Sequence, residues 1–227
     1  MNWFKKCLIP IGTLAIVSCG KTETTNSAIK RETDLMDVRL YEGAPSVALN
    51  SEVDTRVGFD ENGKESRMLL YFPKLQNLWD SKVIISSIAI VELLLNCTDV
   101  EVNPENIELV PMAQSWSPFA TWSTRDIISG KTWTAAGGDI DASLPGTTPS
   151  LRINANNSDA KELAFNITTL VQRMILQGYK NYGFMIRVKQ SALNSKNEMW
   201  FRTSNNADEN VRPSSILTFT TADSVGQ

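Results

Sequence analysis

Histidine is absent from all 227 positions. Ser-His-Asp hydrolysis, Cys-His catalysis and histidine-ligated zinc are thereby excluded as they are ordinarily built, which leaves carboxylate, lysine, tyrosine or arginine chemistry. Cysteine is almost as scarce. Cys7 and Cys19 lie near the N-terminus and Cys97 stands alone in the body, so the body can form no internal disulfide and must be held by packing. Without a histidine to activate it, Cys97, which follows the apolar stretch Ile88–Leu95, reads as a small buried hydrophobe rather than a nucleophile. Basic residues are not in excess either: 22 Lys and Arg against 25 Asp and Glu give a net charge of −3, which argues against nucleic acid as a partner.

Long hydrophobic runs are missing too. The apolar run Cys7–Val17 follows Lys5 and Lys6 and contains Pro10 and Gly12; its roughly eleven residues are too few to span a bilayer but suit the core of an export signal. It leads into Ile16-Val17-Ser18-Cys19, which resembles the lipobox of bacterial lipoproteins. The expectation is that residues 1–18 are a removed signal peptide and that Cys19 becomes the acylated N-terminus, with two or more hydrocarbon chains giving stable membrane attachment. Gly20 and Lys21 follow, with no Asp at the sorting position; resemblance to lipoproteins of two-membrane bacteria then implies the outer membrane. Loss of Lys5 and Lys6 would take the net charge from −3 to −5.

Residues 19–33 are polar and almost free of bulky apolar side chains. Such a segment cannot repay its ordering entropy by burial and is expected to tether the lipidated cysteine to one globular domain, residues 34–222, with a short tail, 223–227. Within the domain, candidate strands are Asp37–Tyr41, Asp54–Phe59, Arg67–Phe72, Ile84–Asn96, Ile107–Met112, Glu162–Phe165, Tyr182–Lys189, Glu198–Thr203 and Ser215–Thr220, separated by turn signals such as Glu61-Asn62-Gly63. In Tyr182–Lys189, alternation places Phe184, Ile186 and Val188 toward a core and Met185, Arg187 and Lys189 outward. One helix is expected from Thr168 to Gln177, with Leu170, Val171, Met174 and Ile175 on one face and Gly178 just past its end. The fold class is therefore all-β: a jelly-roll-like antiparallel β-sandwich with one short helix over an open end of the core.

Several clusters carry candidate chemistry. Trp116, Trp122 and Trp133 lie in one long Ser- and Thr-rich stretch, where large rigid side chains either plug the sandwich edge or offer a sugar-stacking platform. After Gly137-Gly138, Asp139 and Asp141 are candidate ligands for a structural calcium, which takes oxygen donors; the alternative is that they shape a turn. They are also the nearest approach to a glycosidase carboxylate pair. On Glu198–Thr203 the set Trp200 and Arg202 lies opposite Met199, Phe201 and Thr203. A short connection, 190–197, suggests a hairpin that would group Trp200 and Arg202 with Arg187 and Lys189 on one face. An aromatic ring among three cations suits an acidic polysaccharide, with the ring stacked on the sugar and guanidinium forks on its carboxylates. The alternative is a solvated sheet face.

Four segments in order resemble the DNRLRE-type β-sandwich domains, grouped with carbohydrate-binding module family 96. They are Arg67-Met68-Leu69-Leu70-Tyr71-Phe72; Trp116 to Trp122, continuing through Trp133 to Gly137-Gly138-Asp139; Phe165-Asn166-Ile167-Thr168 through Gln172 to Asn181-Tyr182-Gly183-Phe184; and Phe201-Arg202-Thr203-Ser204 with Arg212-Pro213. Ile175 and Phe72-Pro73 depart from that pattern. The resemblance implies a secreted, non-catalytic module whose ligands include uronate polymers. Trp79 sits where the family tends to carry a smaller residue, either as an added ligand or partner contact or as a local hydrophobic staple. The expected function is a lipid-anchored, non-enzymatic carbohydrate-binding module with polysaccharide as partner and the membrane as anchor. A module for adhesion to an envelope protein is the second reading, and a polysaccharide-degrading enzyme the third.

Overall fold

The computed structural model describes residues 23–26, 35–80, 85–100, 103–154, 157–189 and 197–221. The signal segment 1–18, the lipid-bearing Cys19, the remainder of the tether outside 23–26 and the tail lie outside the described residues. The described part is all-β: thirteen strands and two short α-helices, with eleven of the strands in one antiparallel hydrogen-bonded system folded into a sandwich.

The strands are β1 (Glu23–Asn26), β2 (Met36–Tyr41), β3 (Asp54–Phe59), β4 (Glu65–Tyr71), β5 (Ile88–Val100), β6 (Ile107–Pro111), β7 (Thr124–Asp126), β8 (Lys131–Thr132), β9 (Ser150–Asn154), β10 (Asn157–Asn166), β11 (Phe184–Val188), β12 (Asn197–Arg202) and β13 (Ser214–Thr221). The order is β1-β13-β5-β12-β3-β4-β11-β6; β10 joins the free side of β5 and carries β9, and β2 joins the free side of β4. Within the segment read as a tether, β1 pairs antiparallel with β13.

β5 is long enough to serve two neighbours along one edge. Leu93 lies between Phe165 of β10 and Ser215 of β13, whereas Cys97 lies between Lys161 of β10 and Phe201 of β12. The sheet therefore turns over on itself and encloses a core that includes Leu70, Phe72, Leu93, Leu95, Phe165, Phe184 and Phe201, each at most 1% exposed.

Helix α2 (Thr168–Leu176) buries Leu170, Val171 and Met174 against that core. It ends in the expected way: Gly178 has φ +72°, its N–H donates to Ile175 O, and Tyr179 N–H donates to Met174 O, the paired bonds of a Schellman motif. The sequence reading left out a second helix, α1 (Pro73–Asp80), which buries Leu75 and Leu78. Pro73 reads as a break, but at a first helical position its missing N–H costs nothing and its fixed φ favours the helix.

A second core lies on the other face of β2, β4, β11 and β6. It contains Val38, Leu40, Leu69, Val110, Met112, Ala120, Trp133 and Met185. This corrects the expectation that Met185 faces outward, for it is 0% exposed. Alternation assigns it to the face opposite Phe184 and Ile186, as expected, but the stretch from Met112 to Ile140 folds back and buries that face as well.

Candidate functional site

Met199 and Phe201 of β12 are fully buried and Thr203 is 2% exposed, while Trp200 and Arg202 are only partly buried on the opposite face. That much follows the expected alternation. The expected grouping with Arg187 and Lys189 does not form. β11 has its two edges on β4 and β6, and β12 has its edges on β3 and β5, so two strands stand between them in the sheet. Nearness in sequence did not make these strands neighbours, because a sandwich sends consecutive strands to different parts of the sheet. The intervening residues 190–196 lie outside the described ones.

Each arginine of the expected face already has a carboxylate. Arg202 holds Asp54 through Nη1 at 2.8 and 2.7 Å, its partner in the β3–β12 register. Arg187 Nε donates to Glu108 at 2.9 Å. Lys189 lies just beyond β11, its backbone N–H donating to Asn106 O. Trp200 stands instead beside Arg56, directly across from it on β3, with the guanidinium carbon 5.6 Å from a ring centroid. Arg56 in turn pairs with Glu198 and approaches the Tyr41 ring, over which Arg39 also lies at 4.9 Å. Arg39 completes the cluster by donating to both oxygens of Glu52. The charges are paired with one another, although Arg39 Nε and Arg56 Nε find no hydrogen-bond partner among the described residues. No free cation is left beside Trp200 among the groups named here.

Asp139 and Asp141 are engaged as acceptors. Asp139 takes hydrogen bonds from Thr134 N–H at 2.8 Å, Ala135 N–H at 2.9 Å and Gln114 Nε2 at 2.9 Å. Asp141 Oδ1 takes them from Ser143 N–H at 3.0 Å and Ser143 Oγ. Both sets of hydrogen bonds join residues within five positions of one another or reach back to Gln114, and no group of three or more Cys, Asp or Glu able to hold a metal occurs among the described residues. Cys97 is buried and unpaired; desolvation pushes its thiol up to about 12, which keeps it protonated and unreactive.

The tryptophans divide. Trp133 is buried, its indole N–H donating to Thr121 O at 2.8 Å. Trp122 lies under Arg67, whose guanidinium is 4.9 Å from the ring centroid, forks onto Glu65 and donates to Gly137 O. Trp79, on α1 rather than in a loop, packs partly buried against the main core and donates to Tyr179 O at 2.9 Å.

Trp116 differs. It is partly buried, its indole N–H donates to Tyr182 O at 2.8 Å, and it lines a cleft of about 300 Å³ together with Met36, Tyr71, Ser115, Asn181 and Tyr182. The Asn181–Gly183 turn builds one wall. Asn181 Oδ1 accepts from Gly183 N–H at 3.0 Å, and Gly183 has φ +83°, where a Cβ would lie 2.3 Å from the Leu70 carbonyl oxygen. Only glycine lets β11 come this close to β4. The sequence reading named Trp116 as a candidate platform but not Tyr71, Asn181 or Tyr182, which become a site only when the ends of β2 and β4 meet this turn. A wider cleft of about 520 Å³ at the other end of these strands includes Arg67, Gln114, Asp139 and Arg187 in its lining.

No curated protein sequence matches the chain. Residues 37–217, from the second residue of β2 to the middle of β13, match the family model described as the disaggregatase related repeat domain. The match takes in the second core, the buried main core apart from Leu35 and the cleft apart from Met36, and the chain belongs to the disaggregatase related repeat family.

Proposed function

We propose that this protein is a non-catalytic carbohydrate-binding module, carried at the outer membrane by lipid on Cys19, with polysaccharide as its partner. The observation that supports it best is the cleft bearing Tyr71, Trp116 and Tyr182 on a rigid sheet end. Aromatic faces next to polar side chains suit sugars, whose C–H faces stack while their hydroxyls hydrogen-bond. The non-catalytic part is supported by how the carboxylates are used: Asp139, Asp141, Asp54, Glu52 and Glu108 all serve as acceptors in structural pairs. Affinity electrophoresis of the whole chain through gels containing different polysaccharides is the test. Retardation by at least one polymer, with no release of reducing ends, is expected; retardation by none overturns the binding reading, and release of reducing ends overturns the non-catalytic one. Cys19→Ala is expected to move the chain from the membrane to the soluble fraction.

The second reading, an envelope protein partner, is favoured by one feature. Among the described strands β9 pairs with β10 alone, and its Leu151 and Ile153 are 44% and 67% exposed, an apolar strip of the kind that marks protein contacts. Crosslinking on intact cells that captures one envelope protein, lost in Ile153→Lys, would support it.

A further inference from the structure

The β7–β8 hairpin carries apolar side chains that belong to neither core. Phe119, Ile127 and Ile128 are 42%, 45% and 73% exposed, and Ile127 N–H donates to Phe119 O at 3.4 Å, so the three residues adjoin at the hairpin tip. The turn, 127–130, does not need them. Its shape is held by Asp126, whose carboxylate accepts from Ile128 N–H, Ser129 Oγ and Ser117 Oγ, and by Gly130 at φ +67°. Asp, Ser and Gly suit a turn because they supply such bonds or such a φ, and isoleucine supplies neither. Adjoining apolar residues that serve neither turn nor core mark a contact outside the molecule. Charge indicates its nature. The hairpin's charged residues are Arg125, Asp126 and Lys131, and Asp126 is engaged in the turn. Lys131 is exposed, with no hydrogen bond or ion pair among the described residues. Arg125 donates from Nη1 to Ser115 O and Oγ and has no carboxylate partner among the described residues. A chain of net charge −3 thus keeps two uncompensated cations beside this tip.

We infer that this tip enters the headgroup layer of an anionic membrane, burying Phe119, Ile127 and Ile128 among the lipids with Lys131 at the level of the phosphates. The inference rests on the lipid attachment proposed at Cys19 and adds which part of the domain meets the membrane. Apolar side chains beside Lys and Arg are the composition of surfaces that lie in the lipid interface, and the negative potential of an anionic leaflet attracts each cation. A protein partner fits the tip less well. A stable interface takes about 800 Å² from each side, of which three part-exposed side chains at a turn supply only a fraction, whereas fluid lipid closes around a narrow protrusion.

The test uses the whole lipid-bearing chain in vesicles of phosphatidylethanolamine, with and without phosphatidylglycerol. Ile128→Cys carries an environment-sensitive fluorophore, and lipids spin-labelled high in the acyl chain serve as quenchers. Cys97 stays unlabelled, being buried with its thiol pushed up to about 12, and the unsubstituted chain reports any signal from Cys19. Asn62→Cys, in the exposed turn before β4, measures the fluorophore's own affinity for lipid. Emission at position 128 is expected to shift to the blue and be quenched, that at position 62 is not, and phosphatidylglycerol should strengthen the effect. Lys131→Gln should lower the ratio of inserted to free tip about fivefold, as the loss of one cation at an anionic surface predicts. Phe119→Cys with the same fluorophore decides the matter where the change at Ile128 disturbs the turn. Chains that float with the vesicles while both tip probes stay in water, or are quenched no more than position 62, overturn the inference and leave the attachment standing. Quenching indifferent to phosphatidylglycerol and to Lys131→Gln overturns the anionic assignment. Chains that do not float overturn both the inference and the attachment.

Discussion

Asp37 shows how a single side chain sets the behaviour of its neighbourhood. It is 6% exposed on β2, and Ser204 N–H donates to it at 2.6 Å. Burial raises its carboxyl above the usual value of 3.8, more than the hydrogen bonds from Ser204 lower it. A folded-state value above the unfolded one means that the ionised group opposes folding. The penalty is complete above the raised value, shrinks as pH falls through it, and is gone below 3.8. Asp37→Asn keeps an acceptor for Ser204 and removes the charge, so it should stabilise the protein to urea at pH 7, with the advantage narrowing as pH falls toward 4. An advantage that widened on acidification would contradict the assignment. At this level much was visible beforehand: alternation alone separated Met199 and Phe201 from Trp200 and Arg202. Asn181 was not visible as a site residue, because lining a cleft is a property of surroundings rather than of residue type.

Among the elements, the Met112–Ile140 stretch matters most, since it converts a one-faced sheet into one buried on both faces. Its hold on β4 and β11 consists of Trp133 set among Leu69 and Met185, the Trp133 bond to Thr121 O, Gly137 N–H on Trp122 O, and Arg67 reaching from β4 to Gly137 O. Trp133→Ala should cost about 3–5 kcal/mol by urea denaturation and expose Met185 to oxidation, read as peptide mass after mild peroxide. A loss below 1 kcal/mol would mean that the loop is not held through this residue. α2 was legible because its 3.6-residue period and Gly178 agree, whereas α1 was obscured by Pro73. The burial of Met185 was not legible at all: one strand's pattern cannot tell solvent from a loop whose Trp133 lies about fifty residues earlier in the chain.

For the molecule as a whole, the open issue carried over from the sequence is calcium. The Asp139 and Asp141 carboxylates are already occupied by backbone and side-chain donors that hold their turns. Melting temperatures in calcium and in excess EDTA are expected to coincide; a clear rise in calcium, lost in Asp139→Asn, would support the metal reading. The same accounting covers the arginines, for Arg39, Arg56, Arg67, Arg187 and Arg202 each meet a carboxylate within 4 Å. An expected cationic face thus became a set of cross-strand pairs, such as Arg202 with Asp54 on β3.

The all-β class, α2 and its terminating glycine, the inert Cys97, and the inward and outward sets of β12 were contained in the order of residues, because periodicity and local turn chemistry are short-range properties of a chain. Which strands became neighbours and which arginines met carboxylates depended on contacts between residues far apart in the chain, 148 positions for Asp54 and Arg202 and 167 for Asp37 and Ser204. Such contacts arise only when the sheet closes on itself. The cleft at Trp116 belongs to that second kind: Met36, Tyr71, Ser115 and Asn181 come from four separate stretches of chain, and only packing brings them to one place.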